Sequence, residues 1–393
     1  MMDYSQLIPE RVRALKPSGI RKFFDIAATM DDVLSLSIGE PDFVTPWVVR
    51  DAGIDSLVRG RTFYTSNAGL IELRTAICEY YARTFALSYT PEQALVTVGG
   101  SEAIDLCLRT LLGPGDEVII PEPSFVCYEP ITQLCGGRPV AIRTKAENEF
   151  RLTADELRAA ITPRTKILVL PYPNNPTGAV MEREDLEAIA DVLRGTNIIV
   201  LSDELYAVLT YTGRRHVSIA NIEGMQERTI VVNGFSKAYA MTGWRLGYAL
   251  GPKDIIKTMT KIHQFAIMSA PTMAQDAAVV ALQPETDGAV QEMVEEYNMR
   301  RRLLLSRFRG MGIECFEPLG AFYVFPSIAK FGLPSEEFCE RFLYDEHVAI
   351  VPGSAFGASG DGFARISYAK SLRDIETAMD RMERFIAKIQ IER

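Results

Sequence analysis

Residues 165–206 read TKILVLPYPNNPTGAVMEREDLEAIADVLRGTNIIVLSDELY. Two short, continuously apolar runs, Thr165–Leu170 and Asn197–Leu201, flank Arg183–Leu193, where apolar residues recur at helical spacing. Strands that are apolar on both faces, joined through a helix, make a parallel pair with a crossover connection. The alternation continues outward. Ala94–Val98, Glu117–Ile120, Arg228–Val232 and Leu246–Leu250 are expected strands, and Ser101–Leu112 is an expected helix. The pattern predicts an α/β fold whose mostly parallel sheet is covered by helices on both faces. In such sheets ligands bind at the carboxyl ends of the strands. The chemistry is therefore sought just after each run.

The chain ends read differently. A break at Pro284–Thr286 precedes a long charged helix, roughly Gly288 to Arg309. A last helix opens at Ser371 and Asp374 as a cap, with Ile375, Met379, Met382, Ile386 and Ile389 on one core-facing stripe. A length of 393 residues exceeds one domain at about 150 residues each. The expected division is a large domain over residues 47–286 and a small domain from both termini, residues 1–46 and 287–393. Arg300, Arg301 and Arg302, with Arg307 and Arg309, read as a solvated or subunit-facing helix with Glu295 and Glu296 one turn upstream.

Composition narrows the function. Lys and Arg number 42 against 51 Asp and Glu, a net charge of −9. That balance argues against a nucleic-acid partner, which needs a basic face. No apolar run approaches the roughly 18 residues of a membrane span, and the first residues lack the apolar core of a secretory signal. Six scattered cysteines without a C-x-x-C pair, and only three histidines, predict no metal site. Free thiols suit a reducing, cytoplasmic setting.

The strand ends carry a consistent set of residues. Gly99, Gly100, Ser101 and Glu102 open a helix and can present backbone N–H groups to an anion. Phe125 could stack on a flat ligand. Three prolines and two asparagines in 171–176 make a rigid loop that presents Asn175. Asp203, ending a buried strand, needs a cationic partner, and Tyr206 follows three residues on. Ser236 and Lys237 come next, then Arg245. A lysine with cationic neighbours can form a Schiff base, and a guanidinium suits a phosphate. Each signal alone has an ordinary structural reading: a turn, a core ring, a helix cap, a surface lysine. Together they cradle an anionic, aromatic, nitrogen-containing aldehyde, and pyridoxal 5′-phosphate is such a molecule.

At these residues the sequence resembles the fold-type I pyridoxal-phosphate enzymes, specifically the class I aminotransferases. The resemblance runs over nearly the whole chain through SIGEPDF (37–43), YTSNAG (64–69), NPTG (175–178), Ser236-Lys237, GWRLG (243–247), VPG (351–353) and RIS (365–367). The nearest groups are the N-acetyl-diaminopimelate and the archaeal aromatic aminotransferases.

The resemblance implies a seven-stranded sheet and a set of roles. Lys237 holds the cofactor and then moves a proton at the substrate α-carbon. Asp203 pairs with the ring nitrogen. Tyr206 and Asn175 face the phenolic oxygen, and Phe125 stacks on the ring. Gly100, Ser101, Glu102, Ser236 and Arg245 take the phosphate. Arg365 clamps the substrate α-carboxylate, helped by Asn175 and Gly39. Tyr64 reaches the cofactor of a neighbouring subunit, which implies a homodimer with shared sites. The side-chain pocket is expected near Ile20, Tyr128 and the partner subunit. Gly234 stands where many relatives place a phosphate-binding Ser. Ser101 stands where some aspartate-directed relatives carry a Lys, so a strict aspartate preference is not expected.

The implied activity is transfer of an amino group between an amino acid, with glutamate as donor, and a 2-oxo acid. The range is N-acetyl-diaminopimelate or aromatic and dicarboxylic amino acids. Two alternatives are a carbon–sulfur β-lyase and a non-catalytic cofactor-binding regulatory module. Ala179 follows the NPTG motif where β-lyases commonly carry Arg. The acidic chain shows no extra DNA-binding segment.

Overall fold

The computed structural model describes every residue except 1, 3, 5, 6, 18, 28 and 393, and no side chain is described at 20–22 or 24. The expectation for Ile20 therefore lies outside the described residues.

Twelve strands occur among the described residues, in three sheets. They are β1 (Leu34–Ser35), β2 (Ala94–Thr97), β3 (Glu117–Glu122), β4 (Arg138–Arg143), β5 (Thr165–Leu170), β6 (Ile199–Asp203), β7 (Thr229–Gly234), β8 (Gly247–Leu250), β9 (Tyr323–Val324), β10 (Val348–Ala349), β11 (Val351–Pro352) and β12 (Ala364–Ser367).

The central sheet has seven strands in the order β2-β8-β7-β6-β5-β3-β4. All neighbours are parallel except β8, which runs antiparallel to both β2 and β7. The quoted stretch is its centre, with Ile167 opposite Ile199 and Leu170 opposite Ser202. Successive side chains leave opposite faces of a strand. Ile167 and Val169 accordingly pack with Leu201, Ile230 and helix residues Ala103, Ile104 and Ile256. Leu168 and Leu170 pack with Leu186, Ile189 and Leu193 of the Arg183–Leu193 helix. Both faces are dry, which is why these strands carry no polar alternation.

Strand β6 lies two residues beyond its expected range, so Asp203 is its final residue. Strand β4 escapes sequence reading altogether. It is an edge strand whose sequence, RPVAIR, puts charge at both ends and a proline within. Edges tolerate both, and both hide the apolar signal.

The chain ends meet each other. Strand β1 pairs in parallel with β10, and β11, β12 and β9 form an antiparallel sheet. The long helix spans Asp287–Gly310 and the last spans Leu372–Ile391, with the Ser371 hydroxyl accepting from the Asp374 N–H. All five residues of the expected stripe are buried against Leu304 and Phe308 of the long helix. No helix among the described residues is long and apolar enough to cross a membrane.

The arginine cluster departs from expectation at two of its five members, while Arg302 and Arg309 are exposed. Arg300 and Arg301 are buried, at 6% and 4% exposure. Arg300 donates to Asp42 and Glu296, and Arg301 to Glu317 and the Pro318 carbonyl. They are clasps between the helix and two loops. A guanidinium can be buried when its fork of donors is matched, and residue spacing alone shows no such matching.

Candidate active site

The carboxyl ends of β3, β5, β6 and β7 open into a cavity of about 260 Å³. Its walls include Gly39, Gly100, Ser101, Phe125, Asn175, Asp203, Tyr206, Ser236, Lys237, Arg245 and Arg365. Eleven of the thirteen site residues expected from sequence thus share one cavity. Glu102 lies one residue beyond Ser101, with its side chain turned away to His263. Tyr64 is elsewhere: it is 81% exposed and lines a separate depression with Phe63 and Thr272.

Lys237 follows β7 and is half-buried. Its Nζ donates to the Gly39 carbonyl at 2.6 Å. Burial, reinforced by the positive charges of Arg365 and Arg245 and opposed by Glu40, brings its pKa down to about 8. This is an amine that deprotonates near neutral pH, as a nucleophilic lysine must.

Asp203 faces the same space. Its Oδ2 accepts from the Tyr128 hydroxyl at 2.7 Å, and its Oδ1 accepts from the Leu205 N–H at 3.3 Å. Burial raises its pKa, and no cation pairs with it among the described residues. Such a carboxylate is costly unless a cation arrives. Tyr128, expected in the side-chain pocket, lines this cavity, almost fully buried with its hydroxyl on the Asp203 carboxylate.

Arg365 lies on β12, which brings the C-terminal part of the chain to the cavity. Its Nη1 donates to Asn175 Oδ1 at 3.0 Å and its Nη2 to the Ser37 carbonyl. Its Nε is buried without a partner, and the guanidinium lies over the Tyr323 and Phe356 rings. Burial lowers its pKa. The Tyr206 hydroxyl is 2.9 Å from that of Tyr323. Tyr323 was not singled out from sequence, because a tyrosine inside the apolar run AFYVF reads as core.

At the opposite side, Gly99 at φ +79° turns the chain from β2 into the Gly100–Leu111 helix. A Cβ there would sit 2.8 Å from Arg245 Nη2, so the close approach of the guanidinium to the turn requires glycine. A side chain at Gly234 would meet the Gly247 Cα at 3.0 Å and the Leu246 carbonyl at 3.1 Å. A side chain there would need the neighbouring backbone to give way by a few tenths of an ångström. Ser236 lines the cavity nearby.

The class I and II aminotransferase family matches residues 31–382, and the chain belongs to it. It is a transaminase, and its substrates are amino acids and 2-oxo acids. Among its relatives, the aspartate aminotransferase of Pyrococcus abyssi (strain GE5 / Orsay) is 47% identical over 379 residues, 96% of this chain and 97% of that protein. The aromatic-amino-acid aminotransferase 2 of Thermococcus litoralis is 44% identical over 381 residues, 96% and 98% of the two chains. The solved structure of the Thermus thermophilus aspartate aminotransferase with maleate superposes with a TM-score of 0.92 at 39% identity, covering 96% of this chain and 99% of that one.

The family uses pyridoxal 5′-phosphate. The cavity fits it: a nucleophilic amine, an uncompensated carboxylate suited to a ring cation, an aromatic side chain, and a glycine turn beside a guanidinium suited to a phosphate.

Proposed function

We propose that this transaminase works by two half-reactions in one site, with glutamate as amino donor and a 2-oxo acid as acceptor. The observation that carries the reading is the convergence of Lys237, Asp203 and Arg365, none of them ion-paired among the described residues, on one cavity. The bound cofactor supplies an electron sink for the substrate α-carbon. The protein does the rest. Lys237 holds the cofactor and then carries the proton at the α-carbon. Asp203, oriented by Tyr128, keeps the ring nitrogen protonated.

Tyr206 and Asn175 face the phenolic oxygen, and Phe125 covers one ring face. The N–H groups of Gly100, Ser101 and Glu102, with Ser236 and Arg245, hold the phosphate. Arg365 receives the substrate α-carboxylate beside Asn175 and the Gly39 backbone; its bond to Asn175 already sets the guanidinium in place.

The residues forming the central sheet, 47–286, act as the cofactor-holding domain. Residues 1–46 and 287–393 act as the smaller domain that brings Arg365 over it and excludes water. Tyr64 serves the site of a second subunit in a homodimer of the cytoplasm. Its exposure on the single chain is consistent with that.

The substrate range is aromatic and dicarboxylic, extending to N-acetyl-diaminopimelate. Lys237, Arg245 and Arg365 are the only cations on the described cavity wall. No further one remains to demand a second carboxylate, which supports a broad range over a strict aspartate preference. Relatives named for both aspartate and aromatic amino acids agree with that breadth.

The test is spectral. Protein loaded with pyridoxal 5′-phosphate should show the absorbance band of the lysine-bound cofactor and lose it on adding glutamate. A panel of 2-oxo acids should restore it, the best acceptor fastest. A band unmoved by any amino acid would sink the reading, and pyruvate release from cystathionine without an oxo acid would replace it with β-lyase chemistry.

A further inference from the structure

The first turn of the Gly100–Leu111 helix is held from behind by a buried pair. Strand β2 ends at Thr97, leaving the Val98 N–H outside the sheet. The Glu102 carboxylate reaches back to accept it through Oε2. The other oxygen, Oε1, accepts from His263 Nδ1 at 2.7 Å. A carboxylate only accepts, so the hydrogen lies on Nδ1. Thr97 completes the closure by donating from its hydroxyl to the Gly99 carbonyl at 2.9 Å.

His263 comes from the Lys253–Ala266 helix and has no exposed surface. Its Nε2 is buried without a hydrogen-bond partner. An apolar residue there would avoid the desolvation cost of that nitrogen. The one polar service the imidazole performs is to orient Glu102. The backbone N–H groups of a helix's first turn have no partner within the helix. Their direction is therefore set by whatever fixes the turn, and here that is Glu102.

We propose that Glu102 and His263 form a strut that holds the Val98–Glu102 turn in the geometry that receives the cofactor phosphate. Both are positioning residues that act through the backbone. This rests on the assignment of the cofactor to this cavity.

The experiment compares two ligands on the apoprotein: pyridoxal 5′-phosphate, and pyridoxal, which keeps the aldehyde and ring but lacks the phosphate. Capture by Lys237 is read from the absorbance band, and the thermal midpoint of each apoprotein is read alongside. Glu102→Leu and His263→Leu should weaken pyridoxal 5′-phosphate by about tenfold or more, the loss expected for one buried charge-assisted hydrogen bond. Pyridoxal affinity should change by less than about twofold. His263→Asn, whose amide can donate where Nδ1 did, should recover most of the loss, and so should Glu102→Gln, which keeps the acceptor for Val98.

Equal loss of both ligands, or no loss of either, would overturn the strut. A leucine variant that fails to fold leaves the asparagine and glutamine variants to decide. They must hold phosphate selectivity near wild type, and an equal loss of both ligands in them counts against the proposal. Failure of wild-type protein to take up either aldehyde would refute the cofactor assignment itself, a distinct result.

Discussion

Two groups of cations sit in this molecule, and they are treated in opposite ways. On the long Asp287–Gly310 helix, Arg300 meets Asp42 and Glu296, and Arg301 meets Glu317. Around the cavity, Lys237 meets a carbonyl, Arg365 meets an amide oxygen and a carbonyl, and Arg245 meets the Thr242 carbonyl. The first group is charge-neutralised by the protein. The second is hydrogen-bonded enough to be held, but none of the three is paired with a carboxylate among the described residues. Burying charge without a counter-ion costs free energy that packing alone does not return. A chain that sustains it at Arg365 and in part at Lys237, with the exposed Arg245 at the rim of the same cavity, is prepared for anions that arrive from outside. The lesson is that a cation's partner, more than its burial, separates a structural site from a binding one.

Substitutions should divide along this line. The largest effect is expected from Lys237→Ala, which removes the amine from the cavity wall; turnover should fall by about 10⁴-fold or more, with loss of the lysine-bound absorbance band. Steady-state rates on loaded enzyme check it, and retained turnover would refute the assignment. Next is Arg365→Leu. Without the two-pronged donor, kcat/KM for amino acids should fall by roughly 10²- to 10³-fold. In the apoprotein the same change should leave stability unchanged or higher, because it removes an unpaired buried charge.

Arg300→Leu should behave the other way. It leaves the part-exposed carboxylates of Asp42 and Glu296 without their cation, and the unfolding free energy should drop by about 1 to 3 kcal/mol. Denaturation of the apoproteins decides the matter, with Arg300→Leu combined with Asp42→Asn losing less than the single change. If Arg365→Leu destabilises the apoprotein as much as Arg300→Leu, the contrast between the two groups is broken.

The same contrast marks how far the sequence could be read. The central sheet was legible because its strands are buried on both faces and so carry continuous apolar runs; β4 was not, since an edge strand keeps Pro139 and two arginines. Lys237, Asp203, Asn175 and Arg245 could be grouped from sequence through their joint placement at successive strand ends, and Arg365 only through the family motif at 365–367; all five line one cavity. The pairing state of the cations was invisible. Asp42 is 258 positions from Arg300 in sequence, and only the fold decides which arginine finds a carboxylate. Tyr323 and His263 were missed for a related reason. Each has an ordinary core reading, and its polar contact, with Tyr206 or Glu102, comes from a distant element.

The subtlest consequence concerns protons. Lys237 titrates near pH 8 against an ordinary value of 10.5, chiefly through burial. Its folded pKa is the lower one, so between about pH 8 and 10.5 the native apoprotein binds fewer protons here than the unfolded chain. This lysine's contribution to stability therefore rises with pH across that window. Capture of pyridoxal 5′-phosphate, which needs the neutral amine, should likewise rise with pH and level off above about 8. Arg365 and Arg245 both push the value down as like charges. Arg365→Leu should move the midpoint of capture upward, because one repelling charge is gone. Stopped-flow capture rates from pH 6.5 to 10 read this directly. An unmoved or lowered midpoint would show that the cavity cations do not sense one another, and would leave the unpaired set as three separate sites rather than one.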